Sequence, residues 1–166
     1  MTVDGTDFAI LEPPKTDDSK LPFDKKWYSH KLNGAGVRYE VAVCIKTGDI
    51  VWVNGPYPCG KYPDIVIFQD RLVNMLDKNE KVEADRGYVG DTKIRTPDAW
   101  VNKSERRAKA VALARHETVN GRLKNFAVLQ QLFRHDRREH KFFFSLAVTV
   151  TQLMFEYHGN TFDVRY

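Results

Sequence analysis

The feature that most limits the fold is a pair of runs, VRYEVAVCIK and DIVWVNGPY, separated only by Thr47-Gly48. Both are rich in β-branched and aromatic residues, which favour extended backbone, and the Thr-Gly step supplies turn chemistry. An antiparallel hairpin is therefore expected. Upstream, MTVDGTDFAILEP begins almost inside another strand pattern, whereas PPKTDDSKLPFDKKWYSHKLNGAG is dense in Pro, Gly, Asp and Lys and reads as a long loop. Downstream, YPDIVIFQDRLVNMLDKNE spaces Ile65, Phe68, Leu72 and Leu76 as a helix does, after a proline and an Asp64 suited to cap its start. KVEADRGYVGD is too short and too glycine-flanked for a helix and is expected as a strand ending at Asp85.

From Ser104 to about Phe126 the chain has good helix formers and no proline, with Ser104 as the expected N-cap and Glu105 in the first turn. A last helix is expected over roughly 137–157, where FFFSLAVTVTQLMF is apolar nearly all round, a composition suited to burial against the sheet or the preceding helix. The chain closes with GNTFDVRY, and it contains no internal repeat. Strand, hairpin, helix, strand, then helices is the order of an α/β fold: a mixed sheet with helical layers. With 166 residues and 42% hydrophobic content, one domain with a real core is expected.

The formal charge is only +4, but it is unevenly placed. Residues 1–102 hold 14 Lys/Arg and 16 Asp/Glu, a net of −2, whereas residues 103–141 hold 11 against 4, a net of +7. A basic segment beside an acidic remainder suits a protein that grips a polyanion with one part and divalent cations with another; the alternative is a solvated surface helix. Cys44 and Cys59 form no CxxC pair, so neither a disulfide scaffold nor a zinc finger is indicated. His135 and His140 have no cysteine partners, and no metal site is expected from them. GPYPCGKYPD lacks the GKS/T ending of a P-loop and is read as a turn. There is no apolar run of membrane-spanning length and no signal-like start, so a soluble, reduced, intracellular protein is the expectation.

Three acids fall at positions that matter: Asp4 in the opening strand, Asp85 at the end of the later strand, and Glu117 on the basic helix. Carboxylates are the hard oxygen ligands that Mg²⁺ requires, and a two-ion phosphodiester site draws its acids from several elements. Taken singly, each acid has an ordinary structural reading as turn residue, strand end or salt-bridge partner. On the helix, Asn120, Gly121 and Lys124 follow Glu117 at i+3, i+4 and i+7 and share its face. A mid-helix glycine costs about 1 kcal/mol relative to alanine, and close approach of a metal, a DNA backbone or a packed strand would account for it. Arg115, Arg122 and Lys124 are candidate phosphate contacts, with plain surface charge as the alternative. His116 is expected to be a packing or surface histidine, and Trp27, Tyr28 and His30 a packed aromatic corner rather than a base-stacking platform.

VDGTDFAI, WYSHKLNGAGVRYEVAVCIKTGDIVWVNGPYPCGKYPDIVIF, EADRGYVGD and RHETVNGRLKNF together resemble the DDE superfamily endonuclease domain of transposases, near its Harbinger-like group. The resemblance runs over essentially the whole chain, with 32 positions from Asp85 to Glu117. It implies a ribonuclease H-like fold in which three acids bind two divalent ions, Mg²⁺ or Mn²⁺, cut DNA and join the freed 3′ end to a target. Asp4 of VDGT is similar to the first family aspartate, Asp85 of ADRGY to the second, and Glu117 of HETVNGRLK to the third acid. Asp7 is a rival for the first place, but three positions along a strand it faces the opposite side from Asp4. A lysine seven positions after the glutamate recurs in related groups and corresponds to Lys124; the arginine those groups place four before the glutamate is here Leu113.

Met1 lies three residues before Asp4, and no helix-turn-helix segment precedes it. The expectation is a single nuclease domain, truncated at its N-terminus, with DNA recognition left to a separate protein. The expected function is metal-dependent DNA cleavage and strand transfer. The alternative is a domesticated or relic domain, catalytically silent, that binds DNA or a protein partner. A nuclear location follows for a eukaryotic host, which the Harbinger-like resemblance implies.

Overall fold

The computed structural model describes residues 1–14, 23–97 and 102–159. Part of the long loop (15–22) and most of the closing segment (160–166) lie outside the described residues. Six strands form one mixed sheet in the order β2 (Tyr28–Ser29), β3 (Gly34–Val43), β1 (Thr2–Ala9), β5 (Val82–Ala84), β6 (Ile94–Arg95), with β4 (Ile50–Pro58) also paired to β3. β3 and β4 form the expected antiparallel hairpin, and Gly48 takes a φ of 82° in its turn. β1 is antiparallel to β3, placing Asp4 opposite Val41, Gly5 opposite Glu40 and Asp7 opposite Arg38. β5 runs parallel to β1 on its other side, pairing Thr2 with Glu83 and Val3 with Ala84. A parallel pair needs a crossover, which the hairpin and the following helix supply. This is the α/β, ribonuclease H-like arrangement expected from the sequence.

Helices cover both faces. On one face, α1 (Asp64–Ile67) continues through a π-helical turn (Phe68–Leu72) into α2 (Val73–Met75), and Phe68 and Leu72 pack with Val3, Ala42, Val82, Ala84 and Tyr88. On the other, α3 (Lys103–Lys124), α4 (Ala127–Gln130) and α5 (His140–His158) cover Phe8, Ile10, Val37, Tyr39, Val41 and Val43 through Val119, Leu123, Leu129, Phe144 and Phe155. The Tyr39 ring stacks on Phe144, and its hydroxyl is 2.9 Å from His140 Nδ1. Burial holds His140 at a pKa of about 4, so it packs as a neutral aromatic.

One sequence expectation changes in the helices. The cap of α3 is Asn102, whose side chain accepts from the Glu105 amide at 2.7 Å, and Ser104 is already within the helix. The helix starts at Lys103, two residues before the start that a Ser104 cap implies. The last helix is buried against the sheet and α3 as expected, and on its outer side Phe142, Leu146, Leu153 and Tyr157 remain exposed. No helix among the described residues is long and apolar enough to cross a membrane.

Asn102→Ala removes the side-chain acceptor of the α3 cap and is expected to cost about 1 kcal/mol in urea unfolding, whereas Ser104→Ala stays within about 0.5 kcal/mol of wild type.

Candidate active site

β1 is the centre of the site because it is hydrogen-bonded on both edges and its side chains alternate between two covered faces. Even positions meet α3: Thr2 Oγ1 lies 2.8 Å from His116 Nδ1, and Asp4 Oδ2 accepts from Asn120 Nδ2 at 2.9 Å. Odd positions face α1, where Asp7 is buried against Arg38 and Ser29. Asp4 and Asp7 therefore occupy opposite faces, and only Asp4 shares a face with α3.

Asp85 follows the last residue of β5, whose partner is Val3, so it emerges beside Asp4 on the neighbouring strand. It caps the short 3-10 turn Arg86–Tyr88, with Oδ1 accepting from the Gly87 amide at 2.8 Å. Glu117 is exposed on α3, one turn before the Asn120 that holds Asp4. Asp4, Asp85 and Glu117 thus lie on or just after three elements that pack against one another.

The charges interact. Burial is the largest influence on Asp4; together with repulsion from Glu117, Asp85 and Asp64 it pushes the carboxyl up to about 7, against the pull of Lys31. Lys31 Nζ donates to the Gly5 carbonyl at 3.1 Å. Among the described residues no group of three or more His, Cys, Asp or Glu side chains is placed to hold a metal ion.

The remaining sequence candidates separate. Arg115 is a correction: it is only 2% exposed and donates to the carbonyls of Cys44 and Ile45, tying α3 to the end of β3. A guanidinium spent on backbone carbonyls is not presented to phosphate. Arg122 is half-buried with its guanidinium 5.1 Å from the Phe155 ring centroid, a cation–π contact. Lys124 is exposed in the last turn of α3. His116 is an internal packing histidine, and burial lowers its pKa to about 3. A Cβ on Gly121 would meet nothing within 4 Å, so no packed strand accounts for this glycine, and its surface is open to an external ligand. Tyr28 stacks on Phe23, and Lys26 and Arg137 lie over Trp27, which is a packed aromatic corner.

Two residues at the site were not anticipated. Lys31 sits in the loop expected only as a connection. Asp64 was expected to cap a helix, yet the N-cap is Pro63 and the Asp64 carboxylate turns toward the sheet, 3.2 Å from Arg38 Nη1. The available signal was the glycine after Asp4 and the glycine two after Asp85, which leave room for another group.

An unfolded Asp4 ionises near pH 4, the folded one near 7. Between those values the folded chain holds a proton that the unfolded chain does not, so stability falls as pH rises through this window, and the penalty is complete above it. Asp4→Asn is accordingly expected to stabilise the metal-free protein at pH 8, by ~2–4 kcal/mol, and to change little at pH 4. Thermal unfolding at the two pH values measures the difference.

The family model described as DDE superfamily endonuclease matches residues 3–152, a span that contains Asp4, Asp85 and Glu117. No curated protein and no solved structure matches the chain. On the extent of that match and the ribonuclease H-like sheet that carries it, the chain belongs to the DDE superfamily endonucleases.

Proposed function

We propose that this chain is a metal-dependent DNA endonuclease domain of transposon origin, with Asp4, Asp85 and Glu117 as its catalytic acids. The family is of transposase-type nucleases, for which DNA is the substrate and divalent metal ions are generally required. The observation that supports the reading is the interaction of carboxylates on three neighbouring elements, with Asp4 pushed up to about 7 by burial and by repulsion from Glu117, Asp85 and Asp64. Such an arrangement destabilises the bare protein and favours a cation that neutralises it.

The residues fit Mg²⁺ or Mn²⁺. All donors are hard oxygens, and Mg²⁺ needs only one or two protein carboxylates because it keeps waters and takes substrate phosphate oxygens. The absence, among the described residues, of three His, Cys, Asp or Glu side chains placed to hold a metal ion is compatible with that open coordination. When bound, two such ions supply activation of a water, or later of a DNA 3′ hydroxyl, and charge neutralisation at the leaving oxygen. The chain's own groups do the orienting. Asn120 and the Gly5 amide hold the two oxygens of Asp4, at 2.9 and 2.7 Å, and the Gly87 amide holds Asp85. Lys124 lies two turns along α3 from Glu117 with the open surface of Gly121 between them, a path suited to a phosphate backbone. Recognition of a particular DNA sequence is assigned to a separate protein.

The second reading, a silent domain that binds DNA or a protein, draws on the same absence among the described residues. Mn²⁺ titration of the purified chain beside Asp85→Ala separates the two. The enzyme reading expects binding in wild type that is lost in the variant, and nicking of DNA only when Mg²⁺ or Mn²⁺ is added. Equal nicking by both proteins, or no cation binding by either, rules it out.

For the DNA contacts, Lys124→Ala is expected to weaken binding and lower the slope of log affinity against log salt by about 1, with unchanged thermal stability. Arg115→Met is expected to do the reverse: it lowers stability by about 2 kcal/mol and leaves the salt slope as in wild type.

A further inference from the structure

Asp64 is placed by features that helix capping does not explain. Its Oδ1 is buried and lies 3.2 Å from Arg38 Nη1, but makes no hydrogen bond among the described residues. A Cβ built on Gly5 would overlap that oxygen. A Cβ built on Gly87 would stand 3.3 Å from Asp64 Oδ2 and 3.0 Å from Asp85 Oδ1. Gly5 directly follows Asp4, and the Gly87 amide binds Asp85. The glycines beside both aspartates therefore open onto the same third carboxylate, from the face of β1 opposite to α3.

A second observation comes from buried polar groups nearby. Tyr88 is fully buried and its hydroxyl has no hydrogen-bond partner among the described residues. Tyr88 ends the short turn that Asp85 caps, and ionisation of its hydroxyl is opposed by burial and then by Asp64, Glu40, Asp4 and Asp85. Glu40 Oε1 is likewise buried without a hydrogen bond, while Oε2 accepts from Trp52 Nε1 at 2.9 Å. Buried polar atoms are nearly always satisfied by protein, water or an ion, so orphans beside an acidic centre point to a ligand or hydration there.

The Arg38 charge does not cancel Asp64. Nε and Nη2 of Arg38 are committed to Asp7, at 2.6 and 2.9 Å, so one guanidinium serves two carboxylates, and burial pushes the Asp64 carboxyl above its ordinary value. Lys31, on an exposed loop, is the other cation that acts on Asp64.

We propose that Asp64 is a fourth acidic residue of the centre, a positioning residue that acts through Asp4 and Asp85 to raise the site's affinity for a divalent cation. The inference rests on the reading of Asp4, Asp85 and Glu117 as a cation site. It assigns Gly5 and Gly87 the task of admitting Asp64.

The test is Mn²⁺ binding to the purified chain, followed by the electron paramagnetic resonance signal of free Mn²⁺, with thermal unfolding in parallel. Asp64→Asn keeps the side chain's size and loses its charge. It is expected to weaken Mn²⁺ binding about tenfold without lowering the melting temperature. A merely structural Asp64 gives the opposite pattern, a lower melting temperature and unchanged affinity, and overturns the inference. Asp85→Asn is the control for the underlying reading: if it weakens binding while Asp64→Asn does not, the inference alone fails. If wild type binds no Mn²⁺, both fail. Should Asp64→Asn not fold, Gly5→Ala with Asp64→Ala replaces it. Removing the carboxylate that collides with the new methyl is expected to restore the stability lost in Gly5→Ala alone, yet leave Mn²⁺ affinity low; wild-type affinity in that pair overturns the proposal.

Discussion

The pairing of β1 on both edges is the constraint from which the rest of the site follows. An antiparallel partner on one side and a parallel partner on the other leave its backbone no freedom to shift. A slip of one residue would send Asp4 to the face of α1 and Gly5 to the face of α3. The same ladder sets β5 so that Asp85 leaves the sheet next to Asp4. The two aspartates are 81 positions apart in the chain and one strand apart in space.

α3 is held against this strand by groups that look functional in the sequence but are spent on structure. Arg115 binds carbonyls at the end of β3. Lys109, 2% exposed, is paired with Glu83 at 2.8 Å and Glu105 at 2.7 Å. These buried ties, with His116 at Thr2 and Asn120 at Asp4, fix the rotation of the helix and leave Glu117 facing out. The segment's net charge of +7 thus overstates what it offers to DNA, because part of it is internal. The solvent-facing share includes Lys103, Arg107, Lys124, Arg134 and Lys141.

Much of the fold was legible because its signals are local. The β-branched runs of the hairpin, the 3.6 spacing of Ile65, Phe68 and Leu72, and the proline-free stretch after Ser104 each report on a few neighbouring residues. What was not legible is of the other kind. Asn102 replaced Ser104 as the cap because both are good capping residues and only the first helical turn distinguishes them. The outer face of α5 stayed exposed because composition shows that a helix is apolar without showing how many neighbours it has. Arg115 and Lys124 are both cations on one helix, and their opposite fates depend on which side meets the sheet.

The sequence by itself determined the order of elements, the α/β class, the family pattern and the presence of acids at strand and helix positions, since each is written in composition, period or spacing. The tertiary structure decided which charges face inward and which carboxylates are neighbours. Asp64 illustrates the division: it reads as a helix start beside a proline, and only the packing of α1 on β1 brings it to Gly5 and Gly87. Proximity between residues far apart in the chain comes from the stacking of layers, and burial then alters their charge, as it does for Asp4; neither quantity is a property of any local stretch of sequence.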